Sequence, residues 1–242
     1  AGEVLDSLTA LDGLLDRWNC WQCFVEEFKS LFELLPSSRD EQQREVLVTG
    51  YYQPVLEGSL VETSEYRYPI YGKPTDLVTL SGVPAGSGEP AKISGQVEGE
   101  RFAPYYTRRE IDHAQLLRGR GLEIAWVKDP VELFFLHIQG SGILQLPDER
   151  RLHIGYAGQN GRPYRSIGRL LIDQGKISAT EMSMQRLRRY LAEHPEERDE
   201  IMAHNESYVF FRVTEAGPFG SLEVPVTAGR SIATDSRLFP KG

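Results

Sequence analysis

Between Val46 and Leu146 the chain passes through short β-branched and aromatic stretches, set at uneven intervals and separated by turns containing Gly and Pro. Val46-Leu47-Val48-Thr49-Gly50-Tyr51-Tyr52, Tyr66-Arg67-Tyr68-Pro69-Ile70-Tyr71 and Ile124-Ala125-Trp126-Val127 read as extended segments. So do Val131 to Ile138, Ile143-Leu144-Gln145-Leu146 and Tyr208-Val209-Phe210-Phe211. No regular alternation of strand and helix connects them. A doubly wound parallel sheet is therefore disfavoured, and a mainly β, α+β fold built on small barrels fits better.

Helical signals fill the gaps. Leu8, Leu11, Leu14, Leu15 and Trp18, then Phe24, Phe28, Leu31 and Leu35, form a stripe over residues 1–35 that Pro36 closes. Thr107 to Glu110 is a capping box for a helix over about 108–118, and Ser166 caps a second over about 167–174. Ser178 to Glu181 reads as another capping box, for a helix bearing Met184, Leu187 and Leu191, and a further helix covers about 196–203. Residues 81–100, rich in Gly, Ser, Pro and Glu, read as a surface loop, and the last thirty or so residues as short strands punctuated by Gly and Pro.

Several function classes lose ground. The net charge of −8 argues against nucleic acid, whose binders carry a basic excess to neutralise phosphates. No apolar run approaches the roughly 20 residues of a membrane span. Ala1-Gly2-Glu3-Val4 lacks the features of a signal peptide, so the start reads as a mature end. The five histidines form no H-x-x-x-H or H-E-x-x-H pattern, although His137 and His153 could meet across strands. Cys20 and Cys23 form a C-x-x-C inside a helical stretch, with no preceding strand. They read as two core or boundary thiols rather than a redox centre. Gln139-Gly140-Ser141-Gly142 is not a nucleophile elbow, because Gln139 replaces the first glycine and a strand-like run follows. Labelling of Ser141 by a serine-reactive phosphonate is accordingly not expected.

What remains is a set of turns dense in Gly, Tyr, Asn and Gln: residues 49–54, 104–106, 155–164 and 205–208, together with 139–142. Aromatic faces pack on sugar rings, while amides and hydroxyls bond to their substituents, so four such turns suit a polyhydroxylated ligand as well as they suit plain turn-making. Cleaving a glycoside further requires a carboxylic acid to protonate the leaving oxygen. Among 35 Asp and Glu, Asp235 follows an apolar stretch, but an ordinary turn or cap aspartate is the better reading of it from the residues alone.

In order, these motifs resemble those of the MltA family of lytic murein transglycosylases. The matching segments are Thr49-Gly50-Tyr51-Tyr52-Gln53-Pro54, Tyr68-Pro69-Ile70-Tyr71, Gln139-Gly140-Ser141-Gly142 and Gly155-Tyr156-Ala157-Gly158-Gln159-Asn160-Gly161. Tyr164-Arg165-Ser166-Ile167-Gly168, Glu181-Met182-Ser183-Met184-Gln185 and Asn205-Glu206-Ser207-Tyr208-Val209-Phe210-Phe211 follow. The resemblance implies a double-psi β-barrel domain (residues 1–74 and 214–242) with a smaller β-barrel inserted at 75–213, and a glycan groove between them. It implies a monomer on the periplasmic side of the outer membrane, acting on peptidoglycan glycan strands without a cofactor. Thr49, Gly50, Tyr51, Tyr52, Gln139, Gly140, Ser141, Gly142, Tyr156, Ala157, Gly158, Asn160, Tyr164 and Ser166 are the expected substrate-contacting residues.

The implied reaction cleaves the β-1,4 bond between N-acetylmuramic acid and N-acetylglucosamine. One aspartic acid protonates the bridging oxygen, and the muramic 6-hydroxyl attacks C1 to leave a 1,6-anhydro end. Because the substrate supplies the nucleophile, a second carboxylate is not required. Asp235 matches the first of three family aspartates, as a site-lining or structural residue. The general acid is one of the later two, which the resemblance places beyond Gly242. The stretch 1–242 is therefore expected to be inactive alone, and a non-catalytic peptidoglycan-binding module is the alternative reading.

Overall fold

A computed structural model describes residues 20–31, 52–82 and 91–215, and then 217–219, 224–227, 229 and 231. The chain divides into two units, Ala1–Thr49 and Gly50–Gly242. In the first unit, α1 (Trp21–Leu31) occupies part of the expected helical stretch. Cys20 and Cys23 are bonded to each other at its start, with Cα atoms 5.2 Å apart, and both are exposed. This corrects the reading of two core or boundary thiols: a three-residue spacing across the first helical turn brings the sulfurs together as an exposed disulfide.

The second unit is built on a six-stranded sheet and a three-stranded one. The larger contains β1 (Val55–Ser59), β2 (Tyr68–Tyr71), β6 (Glu123–Val127), β7 (Gly142–Gln145), β8 (Arg151–Gln159) and β9 (Val209–Thr214). Their order is β2-β6-β1-β7-β8-β9, and only β1 and β7 run parallel. A single bridge between Gly72 and Phe211 joins the two edges, so the sheet curls without closing into a barrel. The mixture of sheet and helix agrees with an α+β chain. No closed barrel is present among the described residues. Strands from both sides of residue 74 share this sheet.

The smaller sheet is β3 (Val78–Gly82), β4 (Ala91–Glu98) and β5 (Arg101–Pro104), all antiparallel. It corrects the reading of 81–100 as a loop at residues 81–82 and 91–98, which are strand; residues 83–90 lie outside the described residues. Gly and Ser in β4 are there because backbone or ring lies against them: a Cβ on Gly95 would stand 2.2 Å from the Ala103 carbonyl oxygen and 2.7 Å from the Phe102 ring.

The second correction concerns Val131 to Ile138, which is helix α3 (Pro130–Gln139) and not a strand. Asp129 caps it by accepting from Val131 N at 2.7 Å, Pro130 sits in the first turn, and Gly140 closes it in the left-handed region at φ 77°. The run looks strand-like because the helix is buried on opposite faces. Leu133 and Leu136 pack into the sheet core with Leu56, Ile70, Leu144 and Phe211. Val131, Phe134 and Phe135 pack into a helical core. That second core is formed with α4 (Ile167–Asp173), α5 (Met184–Glu193) and α6 (Pro195–Ala203). A helix apolar all round loses its 3.6-residue signature.

Ser166 caps α4 as expected, by accepting from Arg169 N. Ser178 to Glu181 is instead a turn, closed by Glu181 N donating to the Ser178 carbonyl. The cap of α5 is Ser183, which accepts from Arg186 N. The Thr107–Glu110 capping box forms, but its helix α2 (Arg108–Asp112) is shorter than expected and gives way to turns.

Arg108, at the start of α2, is 2% exposed. It donates to the Asn205 carbonyl at 3.0 Å and the Ser207 carbonyl at 2.7 Å. Its third contact, 3.1 Å from His137 Nδ1 on α3, requires that nitrogen to accept, because guanidinium has only donors. Burial first, and the charge of Arg108 second, hold the His137 pKa well below the usual 6.5. The sign follows. Below the ordinary histidine range the unfolded chain takes up a proton that the folded chain refuses, so stability falls as pH falls. The loss is up to about 1.4 kcal/mol per pH unit. His137→Gln keeps an acceptor and removes the titration. Urea unfolding at pH 7 and pH 5 should show a smaller acid loss in this variant than in the parent; equal losses would contradict the assignment.

Candidate functional site

The turns singled out in the sequence converge on two places. The first is Asn160, at the end of β8, which is fully buried. Its Nδ2 donates to the Tyr106 and Glu206 carbonyls, both at 2.8 Å. Its Oδ1 accepts from Tyr208 N at 2.9 Å and from Arg162 N at 3.3 Å. One amide thus ties together the 104–106, 155–164 and 205–208 turns. Both donors and the oxygen are engaged, so Asn160 shapes the loop and has nothing left to offer a ligand directly. Gly161 follows at φ 77°, and a Cβ there would stand 2.0 Å from the Ser94 carbonyl oxygen, which pins the loop against β4. Asn205, also buried, accepts from Arg165 N and Ser207 N and holds the opposite side.

This clip presents Tyr164, which is 60% exposed. Tyr164 and Ser166 line a depression of about 240 Å³ with Phe134, Ile138, Met182 and Met184. The resembling segments at 164–168 and 181–185 therefore share one wall. Tyr156 is also half exposed, on β8 beside the register shift at Ala157 and Gly158. Partial burial raises its pKa. Gly158 lies against the Lys73 side chain.

The second place is the C-terminal end of α3. Gln139 and Ser141 are half-buried, and neither side chain has a hydrogen-bond partner among the described residues. Gly140 takes the left-handed turn, with open space where a Cβ would be. At Gly142 a Cβ would stand 2.6 Å from Leu136 Cδ1 and 3.1 Å from the Pro54 carbonyl oxygen. Ile143 N donates to that same oxygen at 2.9 Å, and Val55 pairs with Ile143. The exposed Tyr52, just before Pro54, thereby enters from the chain beside this turn. Ile138, the neighbour of Gln139, belongs to the Tyr164 depression. The end of α3 therefore connects the two places.

Thr49, Gly50, Tyr51 and Asp235 lie outside the described residues. The sequence reading missed Arg108, which holds the 205–207 backbone. A positive charge beside a capping box and before a buried Ile111 gives no sequence signal of its burial. His137 is on a helix, so the anticipated pairing of His137 and His153 across strands does not arise. Among the described residues, one group, His194, Glu196 and Glu197, places three potential metal-ligand atoms within 4.8 Å. Glu197 is already engaged by Tyr190 and Lys176.

The clip is testable. Asn160→Ala takes the partner from two half-buried carbonyls, from the Arg162 N–H and from the buried Tyr208 N–H, at about 1–3 kcal/mol for each that stays unrelieved. Urea unfolding should show a loss of about 3 kcal/mol or more, and a loss under about 1 kcal/mol would mean that water replaces the amide.

Comparison with known proteins identifies the family. Residues 47–212 match the model of the MltA specific insert domain. Membrane-bound lytic murein transglycosylase A of Vibrio cholerae is 30% identical over 205 residues, covering 84% of this chain and 49% of that protein. The Escherichia coli K12 protein of the same name is 31% identical, covering 81% and 47%. The chain thus spans about half the length of the curated relatives it matches. Among solved structures, a membrane-bound lytic murein transglycosylase from Agrobacterium tumefaciens aligns with a TM-score of 0.68 at 43% identity, over 76% of this chain and 51% of that one. E. coli MltA with bound chitohexaose aligns at 0.63 and 29% identity, over 79% and 50%. With the family model matching residues 47–212, more than half of the chain, this chain belongs to the MltA family.

Proposed function

We propose that the chain forms the glycan-binding part of a lytic transglycosylase acting on peptidoglycan. The observation that carries this reading is the pair of polar side chains, Gln139 and Ser141, left without a hydrogen-bond partner among the described residues on a tight glycine turn, which contacts Pro54 of the segment bearing the exposed Tyr52 and adjoins Ile138 of the depression lined by the exposed Tyr164. Free amide and hydroxyl groups beside exposed rings suit a sugar chain, which needs hydrogen bonds at its substituents and apolar contact at its ring faces. The relative solved with chitohexaose supports the same class of ligand.

In this proposal the bond cleaved joins N-acetylmuramic acid to N-acetylglucosamine. A carboxylic acid protonates the bridging oxygen, and the muramic 6-hydroxyl closes on C1 to give a 1,6-anhydro end. The acid then recovers its proton from that hydroxyl. Gln139, Ser141 and Tyr164 bind and orient the glycan, so their removal weakens binding more than chemistry. Asp235 is proposed as a lining aspartate. The proposed setting is the periplasmic side of the outer membrane, in line with the membrane-bound relatives. Among the described residues no helix is long and apolar enough to cross a membrane.

The test uses the protein at its native full length on isolated murein sacculi. Mass spectrometry of the products should show 1,6-anhydromuramic ends; free reducing ends in their place would overturn the mechanism. Gln139→Ala and Tyr164→Ala should raise KM about two- to tenfold each, the range expected for one hydrogen bond or one aromatic contact, with kcat less affected.

A further inference from the structure

The depression beside Tyr164 holds about 240 Å³, and no charged side chain lines it. Phe134, Ile138, Met182 and Met184 give it apolar walls, while Ser166 and Ser183 bring two hydroxyls. Ser166 Oγ accepts from Arg169 N at 3.2 Å, and Ser183 Oγ accepts from Arg186 N at 3.1 Å. The proton of each hydroxyl has no acceptor among the described residues, so each keeps its capacity to donate.

Gly168 also lines the depression, within α4, where alanine would suit the helix better. Its φ is not in the left-handed region. A Cβ there would stand 3.4 Å from Met182 Sδ, 3.7 Å from Met182 Cε and 3.7 Å from Ser166 Oγ, all ordinary contacts. At Gly142 and Gly161 the protein's own atoms crowd out a side chain; at Gly168 they do not. Neither backbone conformation nor packing asks for glycine at 168, and the space it leaves is open to a ligand. The same distances set a thioether and a hydroxyl around one methyl-sized position.

A group that fits this lining carries an acceptor oxygen for the hydroxyls, a methyl for the thioether and no charge. Among sugar substituents the acetamido group meets all three conditions. A plain hydroxyl leaves the apolar wall uncovered, and an ammonium or carboxylate would lose its water without gaining a counter-charge. We propose that the depression takes the acetamido group of one sugar in the bound glycan, its carbonyl accepting from Ser166 and its methyl lying over Gly168 against Met182. The depression thereby selects N-acetylated strands over de-N-acetylated ones. This selection rests on the glycan-binding function proposed above and names the substituent that is read.

The experiment is a calorimetric titration of the protein at its native full length, at mildly acid pH. The probes are N-acetylated chitotetraose and the same tetramer bearing free amines. The acetylated tetramer should bind at least about tenfold more tightly. Gly168→Ala should keep or raise Tm while weakening the acetylated tetramer about fivefold or more, because the added methyl takes the acetyl position. Ser166→Asp still caps the helix, but it offers no proton and adds a negative charge, so it should turn the preference toward the amine-bearing tetramer. Equal affinity of the parent for the two tetramers, or unchanged selectivity in either variant, would overturn the proposal and leave glycan binding standing. Binding of neither tetramer would overturn it together with the glycan-binding function.

Discussion

A buried guanidinium organises this structure. Arg108 reaches from a five-residue helix into the interior and spends its donors on the backbone of 205–207 and on His137 of α3. Its face also stacks on Phe134 and Tyr208, with the guanidinium carbon 4.8 and 5.0 Å from the ring centroids. Removing such a group would leave carbonyls unpaired inside the fold, and removing a partner would leave a charge uncompensated there. The arrangement therefore has one geometry, and that geometry fixes the loop carrying Asn205 and Tyr208 relative to the helix that ends at Gln139.

Asn160 continues the same logic. It uses a neutral amide where Arg108 uses a cation, and it joins three surface turns that share no regular structure. Loops at a binding surface gain precision from being held by buried hydrogen bonds rather than by length or composition. The result is a division of labour within one motif. Asn160 and Gly161 set the backbone, while Tyr164 and Ser166 face outward. At the α3 turn, Gly140 and Gly142 set the backbone, and Gln139 and Ser141 keep their hydrogen-bonding capacity.

Much of this was legible in the sequence, and the failures have physical causes. β2, β6, β7 and β9 carry β-branched and aromatic residues at half-buried positions, and the helix beginning at Ile167 has its serine cap. Helix α3 was misread because both of its faces are buried, which removes periodicity; Asp129-Pro130 at one end and Gly140 at the other were the signals that distinguish it. β4 was misread because its glycine and serine answer to close neighbours, not to propensity. The candidate site residues stand out as motifs, but their roles are not separable in the sequence: Asn160 and Tyr164 look alike as turn residues, and only burial shows that one shapes the loop and the other is exposed on it. Arg108 was invisible, since nothing local marks an arginine that pairs with a loop about a hundred residues away.

The central claim is that the end of α3 and the loop clipped by Asn160 form one glycan-contacting surface. A structure of the native full-length protein with a chito-oligosaccharide bound tests it most directly. The account predicts sugar hydroxyls or acetamido groups within hydrogen-bond distance of Gln139 and Ser141, a ring against Tyr164, and Asn160 keeping its four protein partners. A glycan bound elsewhere, with Gln139 and Ser141 facing solvent, would contradict it.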